Sequence, residues 1–157
     1  MDNKILEIFI PGPAGRLEAK YYKSKKNTSP IALVLQPHPQ YGGTMNNKVV
    51  TTLMKAFDLC GAATLRFNFR GVGQSEGTFD NAVGECDDLR VMIAWVKEQH
   101  PQLPIWLGGF SFGAISKTLA GSERVISRRL DRLCAGRNGF RRLQYVLLYR
   151  GAPYNSN

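Results

Sequence analysis

Short apolar runs, separated by polar or glycine-rich connections, make up the first two thirds of the chain. Residues 5–10 and 16–22 flank a turn-forming stretch at residues 11–15, and this pattern predicts two antiparallel strands joined by a tight turn. Ile31–Leu35 is apolar at every position, which is typical of a strand buried on both faces of a parallel sheet. The pattern therefore predicts a hairpin followed by the interior of a parallel sheet.

Two later segments carry apolar residues at helical spacing: residues 50–57, with a glycine stop at Gly61, and residues 86–96. Residues 63–69 lie between these segments and residues 105–108 follow the second, and both runs are typical of strands. Strands that alternate with helices need right-handed crossovers, which build a parallel sheet with helices on both faces. The predicted fold class is α/β, a doubly wound, mostly parallel sheet with an antiparallel start.

Composition narrows the class of protein without changing the predicted fold. The 157 residues are 43% hydrophobic and 21% charged, which excludes a disordered or collagen-like chain and suits a single domain. No apolar run approaches the ~20 residues that cross a bilayer. The N-terminus also has no apolar signal-peptide core. We therefore expect a cytoplasmic protein without a membrane partner.

The net charge of +9 is concentrated in one part of the chain. Residues 115–157 carry nine of the 21 basic residues, eight of them arginine, against only Glu123 and Asp131. Charge therefore separates a nearly neutral segment, residues 1–114, from a basic one. A basic segment of this kind can attach to nucleic acid.

The sequence Gly109-Phe110-Ser111-Phe112-Gly113 directly follows the last predicted strand. It matches G-x-S-x-G, the nucleophile elbow, in which a sharp strand-to-helix turn exposes the serine and small neighbours let the chains approach. The helix after such a turn points its N-terminal amides at the reacting oxygen. The alternative is a serine in an ordinary glycine-rich turn, but the position after an apolar strand favours the elbow.

Three blocks of sequence, in this order, resemble the small single-domain α/β-hydrolases of the dienelactone hydrolase and short bacterial esterase kind. They are PHP followed by GGTMNNKVV at residues 37–50, RFNFRGVGQS at residues 66–75, and WLGGFSFGA at residues 106–114. The resemblance implies an α/β-hydrolase sheet that is incomplete at its C-terminal side. Residues 1–114 would be the N-terminal part of this domain, and residues 115–157 an atypical basic continuation of it.

The resemblance also implies the roles of individual residues. Ser111 would be the nucleophile, and the amide of Phe112 would be one donor of the oxyanion hole. The second donor would come from the loop after the Ile31–Leu35 strand, where two prolines lack an amide hydrogen; Gln40 or Tyr41 remains, and Gln40 is favoured. The implied substrate is a small acyl ester or thioester, and neither a cofactor nor a metal is expected.

A serine nucleophile needs a base, normally histidine, and an acid that orients it, and in this fold both follow the serine. No histidine follows Ser111, and the acids after it are Glu123 and Asp131. His100 is predicted at the end of the second helix, on the opposite edge of the sheet, whereas His38 belongs to the oxyanion loop. By this resemblance neither is the usual base, although His38 is the one to test, and catalysis is expected to be impaired.

Residues 115–157 do not resemble the family. Apolar residues between Ile115 and Leu133, Ile126 among them, predict an amphipathic helix broken near Gly121, and residues 143–149 predict one further strand. An abrupt arginine enrichment is typical of a changed reading frame. A truncated or frame-shifted chain is therefore the favoured interpretation, and a genuine short variant with a basic tail is the alternative.

The tail suggests two further expectations. As an alternative function, a non-catalytic protein could bind nucleic acid or another polyanion through a helix that aligns Arg124, Arg128 and Arg132. Most such stripes are only solvated faces, so a nucleic-acid partner is not the leading expectation. The strand at residues 143–149 would form an apolar sheet edge beside residues 105–108, which predicts self-association through that edge.

Overall fold

The computed structural model describes residues 5–24 and 29–109, together with the backbone of two short strands further on. Its elements in chain order are β1 (Ile5–Gly12), β2 (Gly15–Tyr22), β3 (Ile31–Leu35), α1 (Lys48–Leu59), β4 (Ala63–Phe67), α2 (Val83–Gln99), β5 (Ile105–Gly109), β6 (Val125–Ser127) and β7 (Leu147–Tyr149). A 3-10 turn, Pro39–Tyr41, lies between β3 and α1. Within the described ranges, no helix is long and apolar enough to cross a membrane.

Five strands form one sheet in the order β1-β2-β4-β3-β5. β1 and β2 form the predicted antiparallel hairpin, and β2 also pairs antiparallel with β4. β3 pairs parallel with β4 on one side and with β5 on the other, so it is the central strand of the parallel part. The prediction of an α/β sheet with an antiparallel start is confirmed.

The hairpin turn is shorter than predicted. β1 continues through Pro11 to Gly12, which pairs with Gly15, so that two residues form the turn instead of five. Pro11 is tolerated because β1 is an edge strand, where a missing N–H costs no ladder bond. Gly15 has a φ of +124°, a conformation that favours glycine.

The two helices cover opposite faces of the sheet, as the doubly wound prediction requires. α1 packs Leu53 and Phe57 in one cluster with Ala32 and Val34 of β3. On the other face, a second cluster joins α2 to three parallel strands and the hairpin; its members include Leu33, Leu35, Leu65, Phe67, Leu89, Met92, Val96 and Leu107. β3 is buried at all five positions because it contributes to both clusters.

Local sequence accounts for the bounds of α1. The Asn47 side chain caps its N-terminus, because Oδ1 accepts a hydrogen bond from the backbone N–H of Val49 at 2.8 Å. The helix ends before Gly61, whose φ of +85° lies in the left-handed region that favours glycine. The predicted glycine stop is therefore confirmed.

A buried ion pair ties α2 to the chain that leaves β4. The guanidinium of Arg70 donates to Asp88, with Nη2 and Oδ1 2.8 Å apart, and the Asp88 side chain is fully buried. Asp88 also accepts the backbone N–H of Arg70 at 3.1 Å. The hydrogen bond to Asp88 raises the pKa of Arg70 above its ordinary value. Gly84 leaves room for this pair, since a Cβ there would lie 2.1 Å from Nη1 of Arg70.

The helix predicted across the basic tail is wrong where the structure describes that segment. Val125–Ser127 is a strand, β6, and it pairs antiparallel with β7 in a separate two-stranded sheet. The strand predicted at residues 143–149 is confirmed at Leu147–Tyr149, and it contacts β5 as predicted, although its ladder is with β6. Arg124, Arg128 and Arg132 lie outside the described residues. The helix prediction failed because the few apolar residues on which it rested also fit a short strand.

We expect Asp88→Asn to lower the free energy of unfolding by about 3 kcal/mol, because it leaves the Arg70 guanidinium buried without its counter-charge. Asp87→Asn is the matched control. The ion pair of Asp87 with Arg90 is exposed, with side chains 50% and 60% accessible, and such a pair contributes less than about 1 kcal/mol. Denaturant titration of the three proteins measures both effects, and equal losses in the two variants would contradict the difference in burial.

A second polar contact joins the hairpin to the end of α2. The Tyr21 hydroxyl and Nε2 of His100 are 2.9 Å apart, beside a cavity of about 240 Å³ that Lys23 also lines. Burial, followed by the nearby charge of Lys23, lowers the pKa of His100 below its usual value, and burial raises the pKa of Tyr21. The folded chain therefore favours neutral His100.

The lowered pKa of His100 predicts a pH-dependent stability. The unfolded chain binds a proton on His100 near pH 6.5, before the folded chain does. Stability from this group is therefore present above about pH 6.5 and is lost as the pH falls towards the lower folded-state pKa. We expect His100→Gln to show a smaller loss of stability between pH 7.5 and 5.5, measured by denaturant titration. An unchanged pH slope in this variant would contradict the assignment.

Candidate active site

The carboxyl ends of β3, β4 and β5 meet at one edge of the sheet, which is where ligands bind in open α/β sheets. The register pairs Leu35, the last residue of β3, with Gly109, the last residue of β5. The first residues of the β3 loop (residues 36–47) therefore lie beside the start of the G-x-S-x-G motif. Ser111 and Phe112 themselves lie outside the described residues.

The fully buried side chain of Gln36 holds the β3 loop in place. Its Oε1 accepts a hydrogen bond from the backbone N–H of Phe69, just after β4, at 2.8 Å. Its Nε2 donates to the carbonyls of Gly43 at 2.8 Å and Pro37 at 3.1 Å. The Gln36 side chain thus joins Pro37 and Gly43, on the two sides of the loop, to Phe69 in the chain just after β4.

The backbone amide of Gln40 donates a hydrogen bond to the side chain of His38, with N and Nδ1 3.1 Å apart. A ring nitrogen that accepts carries no proton, so the proton of neutral His38 lies on Nε2. The His38 carbonyl accepts hydrogen bonds from the N–H groups of Tyr41 and Gly43, both at 3.1 Å. The favoured oxyanion donor, the Gln40 amide, is therefore engaged within the loop.

Close approach of the chain to itself explains Gly43. A Cβ at this position would lie 2.2 Å from the carbonyl oxygen of Pro37 and 2.6 Å from that of His38. Any larger residue would push the two sides of the loop apart. The compact loop conformation therefore depends on this glycine.

Three aromatic rings meet at this edge, and we call them the aromatic cluster: His38, Tyr41 and Phe79. The His38 ring lies 4.8 Å from that of Tyr41 and 5.2 Å from that of Phe79, measured between centroids. His38 and Phe79 are half-buried, whereas Tyr41 is 86% exposed. The cluster brings together the loops that follow β3 and β4.

The turn that carries Phe79 has an unusual backbone. Asn81 and Ala82 have φ values of +48° and +74°, and this region costs a residue such as alanine roughly 1–2 kcal/mol. The buried carboxylate of Glu85 holds the turn, because its Oε1 accepts the Asp80 N–H at 2.9 Å. The strained turn persists because the surrounding structure determines it.

His100 lies far from this edge. It follows the last residue of α2 and, with Ala63 at the start of β4, lines the cavity at the amino ends of the parallel strands. This is the opposite edge of the sheet, as expected from the sequence. Among the described residues, no group of three or more His, Cys, Asp or Glu side chains is arranged to hold a metal ion.

Comparison with known proteins decides the family. A family model described as serine aminopeptidase, S33, matches residues 32–130, which is more than half of the chain. This chain belongs to that hydrolase family.

The chain is similar to two solved structures and to one further relative in sequence. An α/β serine hydrolase homologue from Coxiella burnetii is 50% identical, with a TM-score of 0.70 over 76% of this chain and 58% of its own. A serine hydrolase without a lid from Xanthomonas campestris is 38% identical, with a TM-score of 0.70 over 78% of this chain and 58% of its own. An uncharacterised protein of Rickettsia prowazekii (strain Madrid E) is 49% identical over 69% of this chain and 46% of its own length. The chain thus spans about half the length of the relatives it matches.

Two of the four predicted site residues lie in the described part of the chain. His38 and Gln40 are both in the β3 loop, at the carboxyl edge of the sheet. The roles of Ser111 and Phe112 stay predictions, since both residues lie outside the described ranges.

Two features of the β3 loop were not predicted. Gln36 holds the loop, and the signal for this was a polar amide directly after a wholly apolar strand. The backbone N–H of His38 was overlooked as a candidate oxyanion donor, because the residues on either side, Pro37 and Pro39, have no N–H. By the register of Leu35 with Gly109, this amide is the first in the loop beyond Pro37.

Proposed function

We propose that this hydrolase cleaves carboxylic esters or thioesters of small acyl groups, with Ser111 as its nucleophile. The observation that carries the proposal is the parallel register of Leu35 with Gly109. It supports the proposal because the β3 loop begins beside Gly109, two residues before Ser111 in the chain. A nucleophile and amide donors at one sheet edge are the two parts that acyl transfer needs.

In the proposed reaction, Oγ of Ser111 forms a bond to the acyl carbon, and the carbonyl oxygen becomes an oxyanion. The amide of Phe112 and one amide of the β3 loop would donate hydrogen bonds to this oxyanion. Collapse of the intermediate breaks the bond between the acyl carbon and the oxygen or sulfur of the leaving group, and the proton lost by Oγ of Ser111 goes to the departing alcohol or thiol. Water then adds to the acyl carbon, the bond to Oγ breaks, a proton from the water returns to Oγ, and the carboxylic acid is released.

We also propose that Ser111 is weakly activated, because neither His38 nor His100 is placed to act as its base. His100 is bonded to Tyr21 at the opposite edge. Nδ1 of His38, at the correct edge, already accepts the Gln40 amide. An oxyanion hole and substrate binding alone still provide roughly 10³–10⁴-fold catalysis over water in enzymes whose triad has been removed.

The second oxyanion donor has three candidates, of which the Tyr41 N–H is already bonded to the His38 carbonyl at 3.1 Å. Gln40 was favoured from the sequence, but its N–H must first leave Nδ1 of His38. The backbone N–H of His38 is a further candidate, because it is the first N–H of the loop beyond Pro37 and so follows the Leu35–Gly109 pair more closely along the chain than the Gln40 N–H does. We therefore add His38 to the proposal, through its backbone amide and not its ring.

Labelling with a fluorophosphonate tests the nucleophile. Oγ of Ser111 bonds to the phosphorus and fluoride leaves, so the mass of the protein reports the reaction. We expect labelling about 100-fold slower than in a complete serine hydrolase, and none in Ser111→Ala. Labelling that persists in Ser111→Ala would remove the proposed nucleophile. A p-nitrophenyl acetate turnover near the usual enzymatic value of about 10 s⁻¹ would instead contradict the weak activation.

Two substitutions at one position test the second donor. His38→Ala removes the ring and keeps the backbone N–H, whereas His38→Pro removes both. A φ of −54° and a ψ of 123° at His38 suit a proline that precedes Pro39. We expect His38→Pro to label about 10²–10³-fold more slowly than His38→Ala, the usual loss of one oxyanion donor. Equal rates, both faster than the unchanged protein, would assign the role to Gln40.

A further inference from the structure

We propose that the aromatic cluster is the subsite for an uncharged, planar aromatic group of the ester substrate, with Tyr41 as its specificity-determining residue. The proposal rests on the proposed function, since it names the substrate class of the same site. Aryl or arylalkyl esters would be preferred over saturated esters of equal size. The argument for this class depends on where the rings lie, how they are held and how they are oriented.

Position is the first argument. Tyr41 belongs to the same 3-10 turn as Gln40, whose amide is a candidate oxyanion donor. Its ring is the most exposed of the large apolar side chains in the described ranges. Burying a ring of this kind against a ligand removes apolar surface from water next to the reacting bond. Under the proposed function, Tyr41 is the exposed ring that directly follows this candidate donor in the chain.

Rigidity is the second argument. The His38 ring is fixed from both sides, by the Gln40 N–H on Nδ1 and by the ring of Phe79. Phe79 in turn lies on the strained turn that Glu85 holds through the Asp80 N–H. A surface whose rings are already ordered loses little entropy when a ligand binds.

Ring orientation is the third argument. The planes of His38 and Tyr41 meet at 63°, and those of His38 and Phe79 at 47°. Rings inclined in this way pack edge to face on one another, and a planar aromatic group beside Tyr41 would extend the same kind of contact. An aromatic ligand gains from edge-to-face contact beyond the area it buries, whereas a saturated ring gains from area alone. The gain of one aromatic contact corresponds to about a 2- to 10-fold preference.

Two phosphonofluoridates with the same leaving group test the preference, one carrying a benzyl group and the other a cyclohexylmethyl group. The readout is the ratio of their labelling rates at Ser111, which cancels any general loss of reactivity. We expect Tyr41→Ala to lower this ratio about 2- to 10-fold and Tyr41→Phe to keep it. Leu59→Ala is the control, because Leu59 is also exposed (49%) but ends α1, away from the cluster. It should leave the ratio unchanged.

The outcomes separate this inference from the function on which it rests. Labelling of Ser111 with a ratio that Tyr41→Ala does not change overturns the aromatic subsite and leaves the serine hydrolase proposal standing. A ratio that falls equally in Leu59→Ala overturns it too, because the effect would then be general. Failure of both probes to label Ser111 overturns the proposed function and, with it, the substrate class.

Discussion

The site depends above all on the parallel pairing of β3 with both of its neighbours. Ile31–Leu35 bonds to β4 on one side and to β5 on the other, and it is buried on both faces by the two helices. The chain that leaves β3 must therefore emerge between the ends of two other strands. This constraint brings the β3 loop, the turn that carries Phe79 and Gly109 at the end of β5 to one edge of the sheet.

Buried polar groups then determine the shape of the loops at that edge. Gln36 joins the β3 loop to the residue after β4, and the Arg70–Asp88 pair joins the next part of the chain to α2. Apolar packing alone is non-directional, so it could hold these loops in more than one arrangement. A buried hydrogen bond is costly to leave unmade, so each such group excludes the arrangements in which it has no partner.

The sequence predicted those elements whose pattern depends on nearest neighbours. Ile31–Leu35 was predicted with its observed bounds because five successive apolar residues fit a buried strand and little else. The end of α1 followed from Gly61 for a similarly local reason. The tail helix across Ile126 failed, since pairing of β6 with a strand some twenty residues later is a long-range event that spacing does not report.

The site was predicted less completely than the fold. Motif and resemblance led to the carboxyl edge and to the loop that holds His38 and Gln40. They could not predict that the His38 ring accepts the Gln40 amide, because this depends on a side-chain torsion. The role of Gln36 was missed because its partners, Phe69 and Gly43, come from separate parts of the chain.

The pairing of β3 with β5 also has a consequence for synthesis on the ribosome. The edge of β3 that pairs with β5 stays uncovered after residue 31 is made, until residue 105 has been made as well. At 5–20 residues per second the ribosome needs about 4 to 15 s for this interval. During that time the uncovered edge of β3 can pair with strands of other nascent chains. A chaperone that binds early, in this interval, would therefore protect the chain from aggregation better than one that binds later.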